Sequence, residues 1–499
     1  RHQRYTHLHA IELIPRLEPT GHAGRSIEIR GEASMIEFRR SDDMRRIEID
    51  YAFDPVRLHG QNPQRYPFLL ESAARGTPRS RFDILFAFPQ SVLLLDAEGR
   101  LSLDDSRLEG QGFLDALDDW FRREGGDTQR FGKLPFQGGW FVYLSYELVA
   151  EIEPVVGVGE IELPWPVAAA VRVPVALLRD HERKRAFAVA ERAFADRLRL
   201  IRDDLDAIGG SPPDDPGGDR DAAVVDVNEA PAEEFLQGVS RIKRYIHDGD
   251  VFQVNLSRPW RGRLAQGADA AVLYRRLRRA NPAPFAGLFR LGDFAILSSS
   301  PERLYSTRAG LVETRPIAGT HPRNTDQTAD RALSRALLAH PKERAEHIML
   351  IDLERNDLGR VCETGSVEVN ELMVLESYTH VHHIVSNVRG RLRPEISPAD
   401  VIRAVFPGGT ITGCPKVRCM EIVRELEGVR RGPYTGSFGY LDRNGDSDFN
   451  ILIRTIAVQG RRVELRAGAG IVADSVPQRE LDETREKARG PLSALSATA

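Results

Sequence analysis

Cysteine is scarce: Cys362, Cys414 and Cys419 are the three in 499 residues. Their spacing matches neither a zinc site nor a disulfide framework, which points to a reducing, cytoplasmic compartment. An excess of either charge is also missing. With 69 Lys and Arg against 73 Asp and Glu, the net charge is −4. That is too little to draw the chain to nucleic acid or to a membrane, so any anion must be held by local clusters. No apolar run reaches the roughly 18 residues of a membrane span; the stretch from Pro164 to Leu178 is broken by Pro166, Arg172 and Pro174. The basic start RHQRYTHLHAIELIP has no apolar core of signal-peptide length. Residues 1–34 read as a weakly structured extension, with Met35 as the initiator of a shorter chain.

What remains is the composition of a globular protein, 41% hydrophobic and 28% charged, long enough for two or three domains or one large one. Gly, Pro and Asp displace all periodicity in GGSPPDDPGGDRD, so a linker is placed at 209–228, after a region spanning 35–208. Before it, RFDILFAF, SVLLLDA, GGWFVYLSY and AAAVRVPVALL read as strands, and Gly112–Arg123 as an amphipathic helix. After it, AEEFLQGVSRIKRYIHDG repeats apolar residues at helical spacing and stops on glycine. VFQVNLSRPW, FAGLFRLGDFAILSS, LVETRPIAG, GSFGYLD, FNILIRTIAVQG and RRVELRAGAGIVA read as strands. Helices are expected near 331–358, at 398–405, over KVRCMEIVRELEG and at the end of the chain. Strands and helices mix without strict alternation, which predicts a mixed α/β (α+β) fold with large sheets covered by helices.

Two carboxylate pairs stand out: Glu343 with Glu346, and Glu480 with Glu483, the latter one turn before Lys487. Residues three apart share a helical face, so each pair either meets surface Lys and Arg or presents two carboxylates to one point. Between them lie glycines, histidines and cations. FPGGTITGCPK fails the phosphate-loop pattern, because Cys414 and Pro415 follow Gly413; it reads as a Gly-rich turn opening a helix, with Thr410 and Thr412 as hydroxyl donors. GAGIVA formally matches a dinucleotide fingerprint, but too little chain follows for a βαβ unit. Its glycines instead admit a ligand close to the backbone. His380 and His382 alternate with His383 along one strand. Each suits a hydrogen-bonded structural role, and His383 is the acid–base candidate. Arg454, in an apolar stretch, requires a structural carboxylate or a ligand anion. Glu302, ending an apolar strand in SSSPERL, is placed to carry a raised pKa and donate a proton.

In order along the chain, GDVFQVNLS, ILSSSPERL, TRPIAGTHPR, ERAEHIMLIDLERNDLGR, HVHHIVSNV, FPGGTITGCPKVRCMEI, ILIRT and AGAGIVADS…DETREKA resemble the chorismate-utilising family of anthranilate synthase component I and aminodeoxychorismate synthase component I. PFLLES, SRFD and LPFQGGWFVYLSYE extend the resemblance into the N-terminal half. It implies a large helix-covered β-sandwich to which both halves contribute, with the chorismate-binding catalytic domain at 229–495. It further implies Mg²⁺ on Glu346 and Glu483, with Glu343 and Glu480 in support. Chorismate would be held by Gly319, Thr320, Thr410, Tyr440, Arg454, Gly468, Ala469, Gly470 and Lys487. Glu302 would protonate the departing C4 hydroxyl, and His383 would move a proton near C2. Gln253 stands where isochorismate-forming relatives carry a water-activating lysine, and an amide is no base. A tryptophan-type pocket is implied at Ser72, Arg79, Ser80, Arg81, Phe82, Pro284, Phe285 and Ala286.

Ala318 divides the resemblance. Aminodeoxychorismate synthases typically carry a nucleophilic lysine there, in PIKGT, whereas PIAGT is the anthranilate synthase form. Phe285, QVNLS, VHHIVS, FPGGTITG and LPFQGG lean towards the aminodeoxychorismate enzymes, and the tail SVPQRELDETREKAR leans the other way. The expectation is Mg²⁺-dependent formation of 4-amino-4-deoxychorismate, on the p-aminobenzoate and folate route. No amidotransferase triad is evident, so ammonia is expected from a glutamine amidotransferase subunit in a heterodimer. The alternative is anthranilate synthase component I. A non-catalytic tryptophan-binding protein is the remote one, disfavoured because all four glutamates are present.

Overall fold

The computed structural model describes residues 44–74, 81–125, 134–209, 224–322, 326, 330, 341–377 and 381–496, with backbone alone at 224–226, 318–322, 341–343 and 381. Two 12-stranded sheets dominate it. Each takes strands from both sides of the expected linker. In the first sheet, Phe68–Glu71 pairs with Phe285–Leu291. In the second, Gly139–Leu144 pairs with Ser437–Asp442. The sheets meet face to face through aromatic rings, with Phe68 stacked on Phe141 at 4.5 Å between centroids. Helices close the outer faces: Leu273, Tyr274 and Leu277 pack on the first sheet, and Leu114, Leu117, Val401 and Ile402 on the second. The mixed, helix-covered sandwich is as expected. Among the described residues no helix is long and apolar enough to cross a membrane.

Local chemistry explains most of the boundaries. In Ala232–His247 the buried residues Phe235, Val239 and Ile242 form one stripe, as helical spacing requires. Lys416–Glu427 ends at Gly428, whose φ of +66° gives the left-handed cap that glycine adopts without strain. Ser397 and Asp400 cap Pro398–Val405 reciprocally. Leu291 and Phe294 face each other across a two-residue Gly-Asp turn, a tight hairpin connection.

One expected strand is interrupted. FNILIRTIAVQG divides into Ser447–Asn450 and Thr455–Gln459, and Arg454 between them has φ +51°. Arg454 is therefore not a strand residue. It sits in a left-handed break, a conformation that costs a non-glycine residue energy and re-aims its side chain. The helix expected near 331–358 is described over Pro341–Gly359.

Candidate functional site

The floor of the site is the antiparallel pair Gln253–Leu264 and Arg462–Ile471, with Asn255 opposite Gly470 and Ser257 opposite Gly468. The glycines leave room for neighbouring side chains to cross the ladder. A Cβ on Gly470 would lie 2.4 Å from Gln253 Nε2, and one on Gly468 would lie 2.6 Å from Asn255 Oδ1 and 2.7 Å from the Tyr434 hydroxyl. At Gly468 the Leu256 carbonyl, also 2.7 Å away, cannot move aside, so that position requires glycine, whereas at Gly470 the Gln253 side chain fills the space a Cβ would take. The Pro477–Leu495 helix forms one wall. From it, Lys487 Nζ donates to the Gly468 carbonyl at 3.0 Å and pairs with Glu483 at 2.7 Å.

Glu302 occupies the break between the Phe294–Ser300 and Arg303–Arg308 strands and is 6% exposed. Burial raises its pKa to about 7, against the Thr410 hydroxyl, the Ile317 amide, Lys487 and Arg454, which favour the anion. Burial holds the Arg454 guanidinium below its ordinary value, and the charge of Glu302 opposes that shift. Arg454 and Lys487 thus both act on Glu302, an acid beside two cations. Ala318 directly follows the residue whose amide meets Glu302, and its strand places Thr320 opposite His383. His383 is buried. On the other face of its strand, His382 is held by Asp330 at 3.0 Å and by Ser377 at 2.7 Å. His380 lies outside the described residues.

Tyr440 is not part of this floor. Its ring packs between the sheets, 5.6 Å from Phe136 and 6.5 Å from Phe86. The tyrosine that reaches Gly468 is Tyr434, whose pKa burial raises to about 12. The PYTG turn carried no periodic signal, although its proline and glycine mark a tight turn. Behind Tyr434 lies a second feature that sequence reasoning missed. Glu427, 3% exposed, accepts from Arg431 at 2.7 and 2.9 Å and from Arg466 at 3.1 Å. Burial alone would raise this carboxyl, yet Arg431 and Arg466 hold it low. Arg431 also donates to the Asn255 carbonyl at 2.7 Å, tying the network to the floor.

Glu346 is half-buried on Pro341–Gly359, and Glu480 is half-buried on Pro477–Leu495 with Glu483 more exposed. The side chain of Glu343 lies outside the described residues. Among the described residues no three acidic, His or Cys side chains form a metal-holding group. The donor set itself is all carboxylate, which suits a hard divalent cation.

Of the expected tryptophan-type pocket, Arg79 and Ser80 lie outside the described residues. Ser72 Oγ donates to the carbonyls of Phe82 at 3.2 Å and Pro284 at 3.4 Å, and Glu71 pairs with Ala286. These residues do converge. Arg81 is held by Asp180 at 2.7 Å and by Glu182 at 2.8 Å. Phe285 lies under the Arg303 guanidinium, 4.9 Å from its ring centre.

Residues 68–493 match the chorismate binding enzyme family. Anthranilate synthase component 1 of Thermus thermophilus is 40% identical over 449 residues, 88% of this chain and 95% of that protein. Aminodeoxychorismate synthase component 1 of Bacillus subtilis is 52% identical over 265 residues, 52% of this chain and 55% of that one. The crystal structure of anthranilate synthase component I from Streptococcus pneumoniae superposes with a TM-score of 0.73 at 32% identity, covering 84% of this chain and 93% of the other. The acid–cation arrangement on a glycine floor thus sits within a match that takes in nearly the whole described sandwich, and this chain belongs to the chorismate-binding enzymes.

Proposed function

We propose that this chain aminates chorismate at C4, giving 4-amino-4-deoxychorismate and water, with ammonia delivered by a separate glutamine amidotransferase subunit. The observation that carries the amination is Glu302, a buried carboxyl with a pKa of about 7 beside Arg454 and Lys487. Such a group still holds a proton at neutral pH and can pass it to a departing hydroxyl. Arg454 and Lys487 supply the positive field that orients a dicarboxylate. Gln253, beside Gly470, brings an amide to the floor and no base to activate water, which supports amination over hydration. Ala318 offers no amine, so no covalent adduct forms there, and ammonia is positioned by the shape of the site. Misplacement by about 1 Å can cost roughly 100-fold in rate, so shape alone can choose between C4 and C2.

A second reading, formation of anthranilate and pyruvate, is favoured by Ala318 and by the 95% coverage of the Thermus thermophilus relative. Incubating the chain with chorismate, ammonium and Mg²⁺, with and without a 4-amino-4-deoxychorismate lyase, separates the two. p-Aminobenzoate formed only with the lyase is the expected product. Anthranilate and pyruvate formed without it would overturn the C4 assignment. Ala318→Lys should be tolerated by a site built for C4 and should stop one built for direct attack at C2.

Glu346 and Glu483, supported by Glu343 and Glu480, would hold Mg²⁺, which when bound neutralises a substrate carboxylate and withdraws charge from the ring. Glu346→Ala and Glu483→Ala are each expected to lower turnover by roughly 100-fold or more with the circular dichroism spectrum unchanged. Full turnover in excess chelator would exclude the metal.

A further inference from the structure

The Pro433–Gly436 turn, which brings Tyr434 to the floor, is closed by the Gly436 amide donating to the Pro433 carbonyl at 3.0 Å. Its third residue is Thr435, at φ +61°. A turn with positive φ there takes glycine or asparagine, because a β-branched side chain crowds its own backbone in the left-handed region. Among the described non-glycine residues at positive φ, Thr435 carries the one β-branched side chain. It is 1% exposed, so the strain is held inside the protein, where packing over-determines it.

The hydroxyl accounts for the choice of residue. Thr435 Oγ1 donates to the Tyr434 carbonyl at 2.5 Å and accepts from Arg431 Nη1 at 3.3 Å. Arg431 also donates to the Asn255 carbonyl of the floor strand at 2.7 Å. One hydroxyl thus ties the backbone of the tyrosine to the strand beneath it. The Tyr434 hydroxyl lies over Gly468, 2.7 Å from where a Cβ would stand, on the same glycine whose carbonyl Lys487 holds.

The turn is bonded to the segment that carries the rest of the site. The Thr435 amide donates to the Leu452 carbonyl at 2.9 Å, and the Leu452 amide donates to the Gly436 carbonyl at 2.8 Å. The neighbouring Ile451 amide donates to the Glu302 carbonyl at 3.0 Å. Arg454, also left-handed, follows two residues after Leu452. Tyr434, Glu302 and Arg454 therefore hang on one short run of backbone, and Thr435 is where the tyrosine joins it.

We propose that Thr435 is a positioning residue: its hydroxyl locks the left-handed turn and so holds the Tyr434 phenol in register with Glu302 and Arg454 during chorismate turnover. This rests on the floor being the site of turnover and not on which carbon is aminated, so the rate is followed as chorismate consumed. Thr435→Ser keeps the hydroxyl and should keep kcat/KM within about twofold. Thr435→Gly takes up the left-handed turn without strain but has no hydroxyl. It is expected to melt within about 2 °C of Thr435→Ser and to lose kcat/KM by roughly 10- to 100-fold. A merely structural role predicts the reverse, glycine being the best-tolerated residue at that φ; equal turnover in the two variants overturns the proposal.

In a Tyr434→Phe background the loss caused by Thr435→Gly should shrink to about threefold or less, because no phenol hydroxyl is left to place. An undiminished loss overturns the proposal. Native-state hydrogen exchange reads the tie without substrate: the Leu452 amide should exchange about tenfold faster in Thr435→Gly than in Thr435→Ser, and equal rates overturn it. Should Thr435→Gly fail to fold, Thr435→Ala, which also lacks the hydroxyl, takes its place in every comparison. The exchange measurement remains decisive if the wild-type chain leaves chorismate untouched, a result that would overturn the functional reading alone.

Discussion

Glu302→Gln is expected to lower kcat by about 100- to 10,000-fold, the usual range for loss of a positioned general acid, while leaving the fold intact. Glutamine keeps the size and one hydrogen-bonding oxygen but has no proton to give. In the wild type, the alkaline limb of kcat/KM should fall near the pKa of about 7 that burial confers on Glu302; in the variant that limb should disappear. The same substitution should act oppositely on stability. A carboxyl raised from 4.5 to about 7 stabilises fully below its unfolded value, and that contribution is lost as pH rises through the folded value. At 1.36 kcal/mol per unit, the cost of holding Glu302 buried reaches about 3 kcal/mol above neutrality. Denaturant melts at alkaline pH should find Glu302→Gln more stable than wild type. A variant that is both inactive and less stable there would mean that the side chain serves packing rather than proton transfer.

The second large effect concerns folding. Arg431→Ala is expected to destabilise the chain by about 3 kcal/mol or more, since it strips Glu427 of its bidentate partner inside the protein. Arg466 and Ser257 still hold Glu427, which keeps the cost from rising further. Replacing all three charges, as Glu427→Leu with Arg431→Met and Arg466→Met, should recover much of the loss, because apolar groups of similar volume tolerate burial better than a lone charge. Urea melts of the three proteins test this; a single variant within about 1 kcal/mol of wild type would remove the network from the stability argument. The pH dependence runs opposite to that of Glu302. The Glu427 carboxyl is held low, so its contribution is present above the unfolded value and is lost as pH falls through the folded one.

The parts legible in the sequence were those governed by local rules. The helix over Ala232–His247 and the Phe285–Leu291 hairpin follow from periodicity and turn residues, and Glu302 declared itself as a charge at the end of an apolar strand. Distant pairing was not legible. Nothing in a linear pattern says that Phe68 stacks on Phe141, or that Lys416 reaches Asp357. Tyr440 and Tyr434 illustrate the limit. Both are tyrosines near glycines, but strand register turned the first inward between the sheets and a tight turn brought the second to Gly468. Arg454 was misread for a related reason: periodicity records apolar neighbours and is blind to a left-handed break. Glu427 and Arg431 stand four apart, yet Gly428 ends the helix between them, so their pairing belongs to the turn and not to a helical face.

The shared sheets bear on how the chain is made. A ribosome releases the strand Phe68–Glu71 long before its partner Phe285–Leu291 exists, and Gly139–Leu144 waits longer still for Ser437–Asp442. Until then each emerging half exposes an unpaired, largely apolar edge, the kind of surface that templates aggregation. Pairings so distant in sequence also close slowly. The N-terminal half therefore has no finished form of its own during synthesis, and a chain cut at 209–228 yields two incomplete sheets instead of two domains.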